Sequence, residues 1–190
     1  MFSTPNTHKC CRNCGFSNWF FDVDGIITSK KNLTLLTTSA DCISMLLFDP
    51  IKSVIGNVHS GWRGTAKGII KEAIKKMVVE YECNVKDIIC CICPSIRKCC
   101  FEVDEEVKNI FYNNYKEMDN IIFKGKFKEN KQKYYIDTVQ INKNMLYSLG
   151  LKKENIIDSN LCTVCNCNMF HSYRADKEKS GRNAAIISLI

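Results

Sequence analysis

The chain has 190 residues, 45% apolar and 25% charged, enough for one well-buried core and with nothing that demands a second domain. No run approaches the roughly 20 apolar residues of a membrane span. The residues after Met1 are polar, which argues against a secretory leader and for a cytoplasmic protein. The net charge of +7 comes mostly from lysine and reads as a solvated surface, because nucleic-acid binding calls for clustered arginine with exposed aromatics.

In chain order, residues 33–38 and 45–48 read as buried strands, interrupted by the segment holding Asp41 and Cys42. Asp49-Pro50 makes a turn, and 53–59 is the next strand, with Val54, Ile55 and Val58 as its apolar positions. The clearest helix runs over 65–81, where Ile69, Ile70, Ala73, Ile74, Met77, Val78 and Tyr81 recur at helical spacing and lysines fill the other face. Residues 88–93 form a strand stopped by Pro94. A helix over 104–115 turns Val107, Ile110 and Phe111 inward. Residues 116–133 are polar and read as a surface excursion. A short strand at 134–136 leads to a helix over 138–149, ended by Gly150, and 184–189 closes the chain as a strand. This order predicts a single α/β (or α+β) domain over residues 1–190, with mixed β-sheet layers flanked by helices.

Thirteen cysteines make up roughly 7% of the chain, below the share that marks a secreted disulfide scaffold. Their number is odd, and several sit in apolar strand-like runs, so reduced thiols are expected. Two Cys-x-x-Cys pairs, Cys11/Cys14 and Cys162/Cys165, raise a four-thiolate zinc site. Their wide separation in sequence is unlike a compact finger, so this pairing is not favoured.

The candidate site rests on scarcity. Only three histidines are present, and His8, Cys42 and His59 fall in motif-like contexts beside Asp41 and Arg63. Histidine and cysteine suit a borderline-soft ion such as zinc, and three protein ligands with a fourth position open mark a catalytic site. His59 ends a strand, and Gly61-Trp62-Arg63-Gly64 turns into the long helix. Such a turn lets backbone amides approach an anion at a helix N-terminus. Arg63 and Thr65 are therefore expected at a phosphate, with Arg174 as a further anion contact. Arg63, Arg174 and Arg182 are three of only five arginines, and their planar forks suit phosphate or carboxylate.

Five stretches together resemble one family. They are Ser39-Ala40-Asp41-Cys42, Val58-His59-Ser60-Gly61-Trp62-Arg63-Gly64, Cys100-Phe101-Glu102-Val103, Cys162-Thr163-Val164-Cys165, and Phe170-His171-Ser172-Tyr173-Arg174 with Ser180-Gly181-Arg182. The chain is similar to the multicopper polyphenol oxidase, or laccase-like, family, whose members include purine nucleoside phosphorylases and peptidoglycan editing factors. The resemblance implies the family's cysteine hydrolase-like fold and zinc held by His8, Cys42 and His59. It also implies phosphorolysis of adenosine, inosine, guanosine and S-methyl-5'-thioadenosine, together with deamination of adenosine. Purine nucleosides and phosphate are the expected partners. The catalytic set is expected to be Asp41, Cys42, His59 and Arg63, with Asp41 shuttling protons or orienting a ligand. Family members carry an N-terminal segment before the first ligand, which this sequence is expected to lack.

Laccase chemistry needs several histidine-rich copper sites, which three histidines do not supply. A metal-free thiol hydrolase built on Cys42 and His59, acting on peptidoglycan fragments, has the same two residues as nucleophile and base. A non-catalytic binding role is a third reading.

Overall fold

The structure is a computed structural model, and it describes residues 2–3 and 23–190. His8, Cys11 and Cys14 lie outside the described residues. A six-stranded mixed sheet runs in the order β1 (Phe2–Ser3), β2 (Gly25–Thr28), β5 (Val54–Ser60), β4 (Ile43–Asp49), β6 (Ile89–Ile92) and β10 (Ile156–Asp158). The antiparallel β4–β5 pair at its centre sets Ser44 opposite His59 and Ile43 opposite Ser60. Strand β4 has both faces covered, so its sequence is a nearly continuous apolar run rather than an alternation.

Helix α2 (Ile69–Tyr81) packs on β5 and β2, burying Ile69, Ile70, Ala73, Ile74 and Met77 as one stripe. Each large apolar side chain enclosed there contributes about 1.5–3 kcal/mol. Helix α4 (Thr138–Ser148) packs beside it. Its N-cap Asp137 accepts a bond from the Gln140 amide at 2.9 Å, and Gly150 takes the left-handed conformation (φ 97°) that ends the helix.

The other face of the sheet is covered by β3 (Thr34–Ser39) and β11 (Asn183–Ser188), an antiparallel pair with Asn183 opposite Ser39. Fully buried Asn57 joins the layers. Its Nδ2 donates to the carbonyls of Leu35 and Ala185, and its Oδ1 accepts from Thr37 Oγ1. A third sheet orders β7 (Glu102–Val103), β9 (Lys131–Ile136) and β8 (Ile122–Lys128), with α3 (Glu105–Asn114) against β9. The predicted α/β architecture, with mixed sheets flanked by helices, is the one observed.

Two predicted elements need correction. The helix expected over 65–81 is two helices, α1 (Trp62–Ala66) and α2, separated at Gly68, which adopts φ 72°. The polar stretch expected as an excursion is largely the β8–β9 hairpin, turned by Glu129 and Asn130, both at positive φ. Strands β2 and β10 were not anticipated. No helix among the described residues is long and apolar enough to cross a membrane.

Candidate functional site

Cys42 emerges just before β4 and His59 lies near the end of β5, so the antiparallel register brings them to the same end of this central strand pair. The His59 ring contacts the Cys42 side chain. Gly61 completes the approach: a Cβ there would stand 3.4 Å from Cys42 Sγ and 3.5 Å from His59 Cε1. The His59 Nδ1 meets Asp24 Oδ1 at 3.1 Å, and the His59 amide donates to the Asp24 carbonyl at 2.7 Å. The imidazole pKa is raised to about 9 by its bond to Cys42, against burial that lowers it, with the Asp24 carboxylate adding to the rise.

Asp41 precedes Cys42 in a left-handed conformation (φ 85°) and is buried. Its Oδ1 accepts from Thr163 Oγ1 and its Oδ2 from the Arg174 backbone amide, both at 2.6 Å. Its carbonyl accepts from the Ile96 amide at 2.8 Å. Both carboxylate oxygens thus tie the loop bearing Cys42 to two distant segments.

Asp41, Cys42 and His59 line a cleft of about 370 Å³, together with Trp62, Phe101, Tyr173, Arg174 and Arg182. The Arg174 Nη1 donates to the carbonyls of Cys100 and Glu102 at 3.0 Å each, and its guanidinium lies over the Phe101 ring. The Arg182 Nη1 donates to the carbonyls of Ser180 and Gly181. Gly181 cannot carry a side chain without displacing its neighbour, because a Cβ would come within 2.7 Å of the His171 ring.

Of the residues expected at the site, Asp41, Cys42, His59 and Arg174 converge on this cleft. Arg63 does not line it. It is exposed, with its guanidinium 4.2 Å above the centre of the Trp62 ring, and no ion pair to Asp41 forms. Thr65 is fully enclosed, its hydroxyl 2.8 Å from Ser60 Oγ and reached by Asn142 Nδ2 at 3.3 Å. The expected phosphate cradle at the start of the long helix is also displaced, since Gly61 caps only the five-residue α1 and α2 begins at Ile69. His8 lies outside the described residues. Asp24, Thr163 and Arg182 complete the site and were absent from the expected set. Asp24 and Thr163 reach it only through tertiary pairing, whereas Arg182 carried a signal in its glycine-flanked placement.

The sequence profile of the family described as multi-copper polyphenol oxidoreductase laccase matches residues 6–190. The chain belongs to that family. It is 34% identical over 166 residues to the Bacillus subtilis protein named purine nucleoside phosphorylase YlmD, an alignment covering 87% of this chain and 58% of that protein. It is 30% identical over 170 residues to the human protein named purine nucleoside phosphorylase LACC1, covering 87% of this chain and 38% of the human one. The chain therefore spans less than two thirds of either relative. Among solved structures, the Bacillus licheniformis hypothetical protein YfiH superposes with a TM-score of 0.79 at 32% identity, over 88% of this chain and 61% of that one.

Away from the Cys42–His59 pair, Cys99, Cys100, Cys162 and Cys165 gather their sulfurs within 4.8 Å of one another and could hold a metal ion. The Cys-x-x-Cys pair 162/165 thus approaches 99/100, a partnership not foreseen in the sequence.

Proposed function

We propose that the protein is a zinc-dependent purine nucleoside enzyme. It would cleave adenosine, inosine, guanosine and S-methyl-5'-thioadenosine with phosphate to the free base and (thio)ribose 1-phosphate, and deaminate adenosine to inosine. The observation that carries the reading is the Cys42–His59 pair at the edge of a cleft with Arg174 and Arg182 in its lining. The names of the B. subtilis and human relatives support it.

The donor set fits zinc. A thiol and an imidazole stand side by side, and the second nitrogen of that imidazole is held by a carboxylate, an arrangement that fixes the orientation of ligating histidines. Cys42 and His59 would hold the ion, with His8 as the third ligand. When bound, zinc supplies Lewis-acid polarisation of a substrate oxygen.

The chain's own residues account for the rest. Trp62, Phe101 and Tyr173 offer aromatic faces to a purine. Arg174 and Arg182 would bind phosphate and steady its oxygen for attack on C1' of the ribose as the bond to the base nitrogen breaks and its electron pair leaves with the base. Arg63, at the rim on Trp62, would add charge to the approach. Asp41 acts as a positioning residue, since both its oxygens are committed to Thr163 and Arg174.

The test is release of hypoxanthine from inosine by the zinc-loaded protein, with ribose 1-phosphate as co-product and strict dependence on phosphate. Cys42→Ala should lose the zinc held at the Cys42–His59 site, and turnover with it. Hypoxanthine release that ignores phosphate, or full zinc retention in Cys42→Ala, would defeat the proposal.

One observation favours a second reading. Asp24, His59 and Cys42 in series also form an orienting carboxylate, a base and a thiol nucleophile, as in a thiol hydrolase. Alkylation separates the two: a ligating Cys42 reacts only after zinc is stripped, whereas a free nucleophile reacts with or without chelator.

A further inference from the structure

We propose that Cys99, Cys100, Cys162 and Cys165 form a second, structural zinc site, a tetrathiolate clip joining the segment after β6 to the loop that bears Thr163. All four are free thiols, and their sulfurs lie within 4.8 Å of one another. Cys165 Sγ stands 3.5 Å from Cys100 Sγ and 3.7 Å from Cys99 Sγ. Zinc–sulfur bonds of ~2.3 Å in a tetrahedron put neighbouring sulfurs ~3.8 Å apart. Cys165 thus stands at ligand spacing from both cysteines of the 99/100 pair, and Cys162 lies within reach of the same centre.

The backbone around the cluster is built for it. Residues 97–101 form a tight turn, with the amides of Cys100 and Phe101 both donating to the Arg97 carbonyl, which sends two adjacent cysteines to one side. In the opposite loop the Asn166 amide and side chain both bond the Cys162 carbonyl, at 3.0 and 2.8 Å, closing the Cys-x-x-Cys turn. Cys162 is buried while Cys99 and Cys165 are exposed, so an ion has a way in.

The clip stands beside the cleft. The Cys100 carbonyl receives Arg174 Nη1, and Thr163, next to Cys162, donates to Asp41. Hydrogen bonds between the two loops (Ser95 amide to Leu161 carbonyl, Thr163 amide to Ser95 carbonyl, Arg97 Nε to Leu161 carbonyl) already hold them together. A four-thiolate ion locks that junction and with it the wall carrying Arg174. The site shares no residue with the Cys42–His59 pair.

The experiment is cobalt substitution of the full chain, purified under reductant and stripped of metal. One equivalent of Co(II) should give thiolate-to-cobalt charge-transfer bands and the intense visible bands of a tetrahedral four-sulfur set. Cys42→Ala should keep that spectrum, and Cys162→Ser/Cys165→Ser should lose it. Because the double variant can fail by unfolding, the wild-type protein is also alkylated with and without zinc and the labelled sites mapped by mass. Cys99, Cys100, Cys162 and Cys165 should all be protected by zinc and all react after chelation. Equal labelling in both states, absence of the four-sulfur spectrum, or recovery of these residues as disulfides from reducing buffer would overturn the proposal. None of these readouts depends on nucleoside turnover.

Discussion

Replacing Asp41 tests whether its carboxylate braces the cleft or carries protons. The wild-type side chain accepts from Thr163 Oγ1 and from the Arg174 amide at 2.6 Å, in a buried setting and at φ 85°. Hydrogen bonds to a charged group are worth about 1.5–3 kcal/mol each, and a buried donor left without a partner costs a similar amount. Asp41→Ala removes both acceptors and adds about 1 kcal/mol for a Cβ-bearing, non-polar residue held left-handed. With neighbouring effects not fully additive, the loss should be about 4 kcal/mol, a large part of a typical domain's stability. Asp41→Gly should recover about 1 kcal/mol of that by relieving the backbone. Asp41→Asn can aim its carbonyl at the Arg174 amide and its NH₂ at the Thr163 oxygen, so only charge is lost and about 1 kcal/mol with it. Urea unfolding of the three variants reads these differences directly. An alanine variant within about 1 kcal/mol of wild type, or a glycine variant no better than alanine, would refute the bracing argument. Asp41→Asn should also keep most of its inosine turnover. A collapse of kcat at unchanged stability would instead make Asp41 the proton carrier.

Phosphate dependence should divide the arginines: Arg182→Ala should raise the KM for phosphate about tenfold, one charge-assisted bond's worth. Exposed Arg63→Ala should change it by less than about threefold because solvent screens its charge, and the reverse order would move the phosphate to the rim. Asp158 supplies an acid-sensitive contribution to stability. Burial alone would raise its carboxyl, but Arg97, Lys143 and the Asn160 amide hold it down at about 2. Its folded pKa lies below the unfolded one, so the stabilisation, about 2 kcal/mol, is complete above pH ~4 and lost as pH falls through about 2. Asp158→Asn should be less stable at neutral pH and show a flatter decline across that window in pH-resolved urea titrations. Gly68→Ala should lower stability by about 1 kcal/mol. Its Cβ would meet nothing closer than 3.6 Å at φ 72°, so an unchanged melting temperature would mean that the helix break is not a backbone requirement.

What was legible in the sequence was whatever depended on local pattern. Strands β4 and β5 announced themselves as apolar runs, and the stripe of α2 as a helical period. The scarcity of histidine pointed to His59 and, through its motif, to Cys42. The helix break at Gly68 was hidden because the apolar period continues across it, and the left-handed turn re-aims the chain without interrupting the pattern. The β8–β9 hairpin was hidden because nearly all its residues are half-buried or exposed, with only Ile136 buried, leaving little alternation to read. Its Glu129-Asn130 turn also lacks the glycine that usually marks such hairpins. Asp24, Thr163 and the partnership of Cys99-Cys100 with Cys162 and Cys165 come together only through pairing of distant segments. The placement of Arg63 and Thr65 failed for a physical reason. Glycines at 61 and 64 allowed a loop, but the chain used them to start a helix whose interior swallowed Thr65.

The pairing of β11 with β3 also determines how wide the cleft is. Arg182 directly precedes β11, Asp41 and Cys42 follow β3 after Ala40, and Asn183 faces Ser39 across the ladder. The two walls are therefore spaced by strand register, which can change only in whole residues. A slip of one position would carry Arg182 about 3.4 Å along the sheet and turn every side chain of β11 to the opposite face. The opening is fixed in steps, so a series of substrates differing by less than one such step meets a gap that cannot be tuned by gradual drift of its walls. Size discrimination there has to come from exchanging the side chains that face the gap.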